Sequence, residues 1–259
     1  MWSPGGAGSL SHMRQLLLAA LMLAASSARA EEDLRYADAN TDRVILYSTA
    51  ETHPAGTFYF SDYEIILLQV GYAPTDNFQI SLTGVPPLVT DQPYFFDITG
   101  KLNVLRTPRF RAALQFAGDV LVIPNSGPNV GSLFGVRAGA IGQVCFDSGC
   151  LSSLTFNAGT LLNDKSNEVV PIYLAAGLIA HLNDTVKLLV EPNYAVAVGN
   201  GSIDGPKGFL LNYGLRISGR QFGFDLAFVR PFGDGSSSFV LGFPLISFTY
   251  RTDTGRRHD

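Results

Sequence analysis

The sequence predicts an all-β fold: an antiparallel up-and-down transmembrane β-barrel, best read with twelve strands and ten as the alternative, after an N-terminal signal peptide. Three observations predict it. Charged residues make up only 15% of the 259-residue chain against 46% hydrophobic ones, where a soluble domain usually carries about 25% charge. Glycine (27) and aromatics (18 Phe, 10 Tyr) are both abundant, which suits strands because Gly weakens helices and aromatic rings favour sheets. Strand-length segments with period-two alternation recur along the chain, each bounded by turn residues. A mean hydropathy of +0.18 argues against disorder. A net charge of −4 gives no electrostatic reason to expect nucleic acid as a partner.

The N-terminus reads as an export signal. Met13-Arg14 opens a short basic stretch, Leu16 to Ala25 is an apolar core, and Ala28-Arg29-Ala30 is an A-x-A cleavage site before Glu31-Glu32-Asp33. The apolar run is about half the ~20 residues a membrane-spanning helix needs. Residues 1–30 are therefore expected to be removed, with 1–12 upstream of a true start at Met13, and 31–259 to form a single barrel domain. No Cys follows the cleavage site, which speaks against lipoprotein processing. Export permits a disulfide between Cys145 and Cys150 in C-F-D-S-G-C. Two thiols without a nearby His are too few for a metal site, so no metal and no cofactor are expected.

Twelve strands are read in order. The first covers Asp42–Glu51 and the second is one long strand, Thr57–Ala73. Next come Phe78–Val85, Tyr94–Leu105, Phe110–Ile123, Leu133–Cys145 and Leu151–Leu162. The last five are Val169–Leu182, Thr185–Val198, Phe209–Ser218, Phe222–Phe232 and Phe239–Arg251. The connections alternate in length. Short ones lie at 74–77, 106–109, 146–150, 183–184 and 219–221. Longer polar ones lie around His53-Pro54 and at 86–93, 124–130, 163–168, 199–208 and 233–238. Tight turns at one end, long loops at the other and an even strand count place both chain ends on the short-turn side, the layout of bacterial outer-membrane barrels.

Alternation within the strands separates two faces. In Phe110–Ile123, Phe110, Leu114, Phe116, Val120 and Val122 oppose Arg111, Gln115 and Asp119. A soluble sandwich also alternates, but these apolar faces are long enough for a tilted membrane span at ~3.3 Å per residue. The opposite faces hold small and neutral polar residues with few Lys or Glu, as a narrow barrel interior requires. Phe116 pointing outward and Gln115 inward would distinguish a membrane barrel from a soluble one.

The inward face collects the polar chemistry. Its acids are Asp97, Asp119, Glu191 and Asp225. Its bases are Lys101, Arg111, Arg137, Lys187 and Arg216, with Gln69, Gln115, Gln143, Asn103, Asn157, Asn193 and Asn212 as neutral partners. This set suits either a small pore for polar solutes or a salt-bridged plug that keeps the barrel closed. Catalytic candidates are few. His53, read as lying in an outer loop, could act as a base on Ser48 or Ser61. His181 could meet Ser152, Ser153 and Asn157 across a hairpin. No motif ties either set together, so no catalytic residue is expected.

The chain resembles bacterial outer-membrane β-barrel proteins over Asp42–Arg251. The resemblance rests on the signal peptide, the hairpin rhythm and the aromatic terminal strand Phe239-Val240-Leu241-Gly242-Phe243-Pro244-Leu245-Ile246-Ser247-Phe248-Thr249-Tyr250. It departs from the usual pattern in that Arg251–Asp259 follows the aromatic end. It implies location in the bacterial outer membrane, with outer-membrane lipid and the barrel-assembly machinery as partners and an unspecified oligomeric state. The function expected is a non-catalytic pore or closed structural barrel. The alternatives are a membrane-embedded lipid-modifying enzyme and a secreted soluble β protein that binds a hydrophobic ligand.

Overall fold

The computed structural model describes residues 38–64, 66–86, 92–124, 132–147, 149–163, 169–199, 202–204, 208–233 and 241–252. The expected signal peptide, residues 1–30, lies outside them. Strands follow one another as hairpins: β1 (Thr57–Tyr63), β2 (Leu67–Thr75), β3 (Phe78–Val85), β4 (Tyr94–Arg106), β5 (Phe110–Val122), β6 (Ser132–Cys145), β7 (Ser153–Asn163), β8 (Val169–His181) and β9 (Val186–Gly199). A three-residue strand, β10 (Ser202–Asp204), extends the hairpin above β9. The sheet continues with β11 (Gly208–Ser218), β12 (Phe222–Gly233) and β13 (Phe243–Arg251). Every pairing is antiparallel, and β13 returns to β1 from Tyr59↔Arg251 to Tyr63↔Ser247. Apart from β10, twelve strands close the barrel, so no strand edge of the wall is left open.

Two expectations need correction. Asp42–Glu51 is not a wall strand, and Thr57–Ala73 is not one strand. The second segment bends at Glu64, which has φ 57°, to make the β1–β2 hairpin. One strand is lost and one gained, so the total of twelve survives with different members. Asp42–Glu51 fails as a strand because its apolar residues Val44, Ile45 and Leu46 run consecutively and offer no lipid face. The β1–β2 turn then lies on the longer-connection side. His53, expected in an outer loop, sits at the short-turn end, where the backbone of Gly56 bonds Ala73 beside the β2–β3 turn.

The outside of the barrel is apolar on every strand of the wall. Phe58, Val70, Ile80, Ile98, Phe116, Val136, Phe156, Leu174, Leu188, Leu215, Leu226 and Ile246 are all exposed, one from each of the twelve in chain order. Phe116 is 55% exposed, while Gln115 next to it lines the lumen. Soluble proteins rarely show apolar patches beyond a few hundred Å², and a continuous outer apolar band is what lipid requires. A secreted soluble barrel would carry its charge outward. Here the buried charges, Arg216, Lys101 and Glu191 among them, are inside.

Cys145 and Cys150 form a disulfide across the β6–β7 turn, at the short-turn end. It closes a loop with a sequence separation of only 5, so the chain-entropy gain is small. Reducing it should lower the stability of the folded barrel by at most about 2 kcal/mol. Urea titrations of the lipid-embedded protein with and without reductant would measure the difference. Loss of the folded form on reduction alone would mean that the bond does more than restrain the unfolded chain.

Candidate functional site

The lumen is not empty. Residues 38–56, which precede β1, run into it from the short-turn end and fold back out. Ala39 donates to Gly219 at the β11–β12 turn, the chain reverses at Val44–Tyr47, and Ala55 returns to Asp76 at the β2–β3 turn. The reversal is held by its own backbone: Val44 N–H to Tyr47 and Thr49 N–H to Asp42, both at 2.9 Å. Val44, Ile45 and Ala50 are fully or almost fully buried.

This segment matches the wall in shape and charge. Val44 and Ile45 pack against the inward residues Ile179, Leu189 and Ala227. A Cβ on Gly177 would fall 2.5 Å from Val44, and one on Gly223 would fall 2.9 Å from Asn40. Wall and segment approach there as closely as glycine allows. In this half of the barrel the wall supplies Lys101, Arg111, Lys187 and Arg216 against Glu191 and Asp225. The segment supplies Asp38, Asp42 and Glu51 against Arg43. The excess of bases on one side meets the excess of acids on the other.

Arg216 is the centre of this arrangement and has no exposed surface. Its fork reaches Asp225 on the neighbouring strand, Nε to Oδ1 at 2.7 Å and Nη2 to Oδ2 at 2.9 Å. Its Nη1 donates to the carbonyls of Asn40 (2.8 Å) and Arg43 (3.1 Å), and its Nη2 also reaches the Val44 carbonyl. Lys187 Nζ donates to Asp38 at 2.6 Å. Burial alone would raise the Asp38 carboxyl, but Lys187 and Arg216 outweigh it and hold the group below the usual carboxylate range. Lys101 Nζ caps the carbonyls of Asp42 (2.9 Å) and Thr49 (3.2 Å). Arg111 and, at 3.7 Å, Arg106 pair with Glu51. Asn103 donates to the Ala50 carbonyl at 2.7 Å, and Gln143 accepts the Ala50 N–H at 3.0 Å.

Glu191 holds the tip. Its carboxylate accepts the backbone N–H groups of Ile45 (2.9 Å), Leu46 (3.1 Å) and Tyr47 (3.0 Å), and the Asn212 amide at 2.8 Å. Three consecutive N–H groups on one carboxylate satisfy a turn that would otherwise be buried without partners.

His53 is fully buried, 3.5 Å from Asp42, with its ring centroid 4.4 Å from that of Tyr59 and tilted by 40° to it. Burial lowers its pKa against the pull of Asp42. Ser61 bonds Arg43 and Thr249 instead. At the other candidate, the Ser152 hydroxyl accepts the backbone N–H of His181, and the Asn157↔Ala175 pair lies four ladder pairs from Ser153↔Ile179. Neither set is assembled as a catalytic cluster.

Above the segment, towards the longer connections, the lumen opens into a cavity of about 500 Å³. Asp42, Arg43, Leu46 and Ser48 form its floor. Asp97 on β4 and Asp119 on β5 are ladder partners on its wall. Arg137 on β6 engages both, with its Nε 2.8 Å from Asp119 Oδ2 and an Nη2 contact to Asp97. Arg137 remains about a third exposed. Gln69, Thr83, Thr99 and Gln115 add neutral polar groups, and Leu67, Phe95, Leu121, Leu133 and Leu161 form an apolar rim.

The nine charged residues singled out in the sequence, together with Gln115 and Asn212, face the lumen. They divide in two. Arg111, Lys187, Glu191, Asn212, Arg216 and Asp225 face the inner segment, whereas Asp97, Gln115, Asp119 and Arg137 line the cavity, and Lys101 touches both. Their partners Asp38, Asn40, Asp42, Arg43 and Glu51 were absent from that set. The signal was present: a stretch dense in polar residues around an apolar run that does not alternate.

No family model and no curated protein matches the sequence. Solved structures do match its fold. A KdgM porin in complex with disordered oligogalacturonate superposes with a TM-score of 0.50 at 8% identity, covering 76% of this chain and 97% of that one. LpxR from Salmonella typhimurium gives a TM-score of 0.43 at 11% identity, covering 76% of this chain and 99% of its own. The architecture is that of bacterial outer-membrane β-barrels.

Proposed function

We propose that this protein is an outer-membrane barrel that its own N-terminal segment holds closed, with a cavity in the outer half in place of a through-pore, and that it is not catalytic. The observation that carries this reading is the packing of residues 38–56 inside the barrel. They use every charge of the inner lumen named above and bury Val44 and Ile45 against the wall. A polar solute crossing this half would have to break these buried ion pairs and displace the segment that packs against them, which is costly in a dry interior. The non-catalytic part is supported by the histidines: neither His53 nor His181 lines the cavity. The outward Ile246, Phe248 and Tyr250 of β13 are the residues the barrel-assembly machinery would read.

Single-channel recording in planar phospholipid bilayers tests the closed state. The full-length mature chain should insert without a steady conductance step. Glu191→Ala removes the acceptor of three backbone donors, so it should release the tip and produce intermittent openings. Reproducible open-channel steps from the unaltered protein would overturn the reading.

A further inference from the structure

We propose that the outer-half cavity is a binding site for a nonionic amphiphile, one with a hydroxyl-bearing polar end and a single apolar arm. The inference rests on the closed-barrel reading, because the floor that Asp42, Arg43, Leu46 and Ser48 provide turns a channel into a pocket. Three features define the occupant.

The first is size. A volume of about 500 Å³ lies within the ~300–1,000 Å³ range of small-molecule sites. It is too large to be a packing defect in a well-packed interior.

The second is the order of its surfaces. The apolar rim of Leu67, Phe95, Leu121, Leu133 and Leu161 sits nearer the longer connections than the Asp97–Arg137–Asp119 cluster. On β4, Phe95 lies one inward position above Asp97, and on β5, Leu121 lies one above Asp119. The ladder places Phe95 opposite Leu121, and Asp97 opposite Asp119. An occupant therefore meets polar groups at depth and apolar groups above them. A sugar without an apolar arm would leave the rim uncovered. A plain hydrocarbon would leave the cluster facing it without partners.

The third is charge. The cavity holds three acids (Asp42, Asp97, Asp119) and three bases (Arg43, Lys101, Arg137), and each already has a partner. Arg137 joins the two acids of the wall. Lys101 is bound to segment carbonyls. Arg43 donates to Ser61 at 3.0 Å, and Gln79 donates to Asp42 at 2.9 Å. A charged head group would bring a charge with no counter-charge into a partly desolvated pocket. Hydroxyls need none. They can donate to the Asp97 and Asp119 carboxylates and accept from Arg137, whose two-acid grip fixes its fork beforehand.

The test uses the full-length mature protein in phosphatidylcholine vesicles and radiolabelled octyl β-glucoside, well below the concentration at which it forms micelles. Octanoate and octyltrimethylammonium serve as charged controls with the same arm. Protein-free vesicles set the background partition. Saturable binding of about one glucoside per protein is expected, with at least tenfold weaker binding of both controls. Gln115→Trp fills the cavity from its wall and should abolish the saturable part. Heat-modifiable migration on SDS gels would confirm that this variant is folded. Asp119→Asn with Arg137→Gln keeps the local charge balance while weakening the polar cluster, and should reduce affinity about tenfold. Non-saturable uptake by the unaltered protein, saturable uptake unchanged in a folded Gln115→Trp variant, or preference for either charged control would each overturn the proposal. Conductance reports separately on the closed lumen. A silent barrel that does not take up the glucoside refutes this inference alone, and a conducting barrel that does take it up refutes only the closed state.

Discussion

Arg216→Leu should destabilise the folded barrel by about 3–5 kcal/mol, the largest effect expected of any single substitution in the wall. The number follows from what would be left behind. Asp225 loses both arms of its fork, and the carbonyls of Asn40, Arg43 and Val44 lose a donor. Breaking a buried ion pair by removing one partner leaves a charge with neither water nor a counter-ion. Equilibrium urea unfolding in phospholipid vesicles measures the loss. Arg216→Lys should recover part of it, since it restores the charge without the planar fork. Arg216→Leu combined with Asp225→Leu should be milder than the sum of the two single changes, because the pair disappears together. An additive double variant would mean that the two groups are not coupled, and Arg216 would no longer be the centre of the lumen.

The second large effect belongs to the outside. Phe116→Arg places a guanidinium at a wall position that is 55% exposed, in the apolar band. Near the bilayer midplane such a residue should cost ~2–4 kcal/mol. Gln115→Arg, one residue away, adds the same group opposite Lys101, in the polar cavity that Asp97 and Asp119 also line, where it can stay hydrated, and should cost much less. Leu114→Arg should behave like Phe116→Arg, since Leu114 is also exposed. Assembly yield and heat-modifiability of the three variants provide the comparison. A lipid-soluble photoprobe should label Phe116 and spare Gln115 in the unaltered protein. The reverse labelling would invert the two faces of β5 and remove the membrane-spanning reading.

Much of the wall was legible because strand alternation is a local property. In β5, Leu114 and Phe116 oppose Gln115 and Asp119 whatever the rest of the chain does, and the structure places them on opposite faces. From β3 to β12, apart from the three-residue β10, the bounds read from the sequence lie within two residues of the strands, since turn residues punctuate each one. The first part of the chain resisted the same approach. Asp42–Glu51 has strand-like composition, yet its hydrogen bonds go to its own reversal and to side chains of the wall. Leu189 and Ile179 lie among polar inward positions and look misplaced in a hydrated lumen. They make sense once Val44 and Ile45 cover them.

The residues that face inward from β3 to β12, the apolar belt and the pairing of Cys145 with Cys150 were decided within a few residues of each position. Period-two geometry and short-range turn chemistry do not depend on distant contacts. Only the closed barrel decides what the inward residues do. Arg216 reaches Asn40, 176 positions away along the chain, and Glu191 reaches Ile45 across 146. Whether these side chains line a pore or grip a plug depends on which segment fills the space that closure creates. Complementarity across such separations is a property of the enclosed volume, and it comes into being only when β13 meets β1.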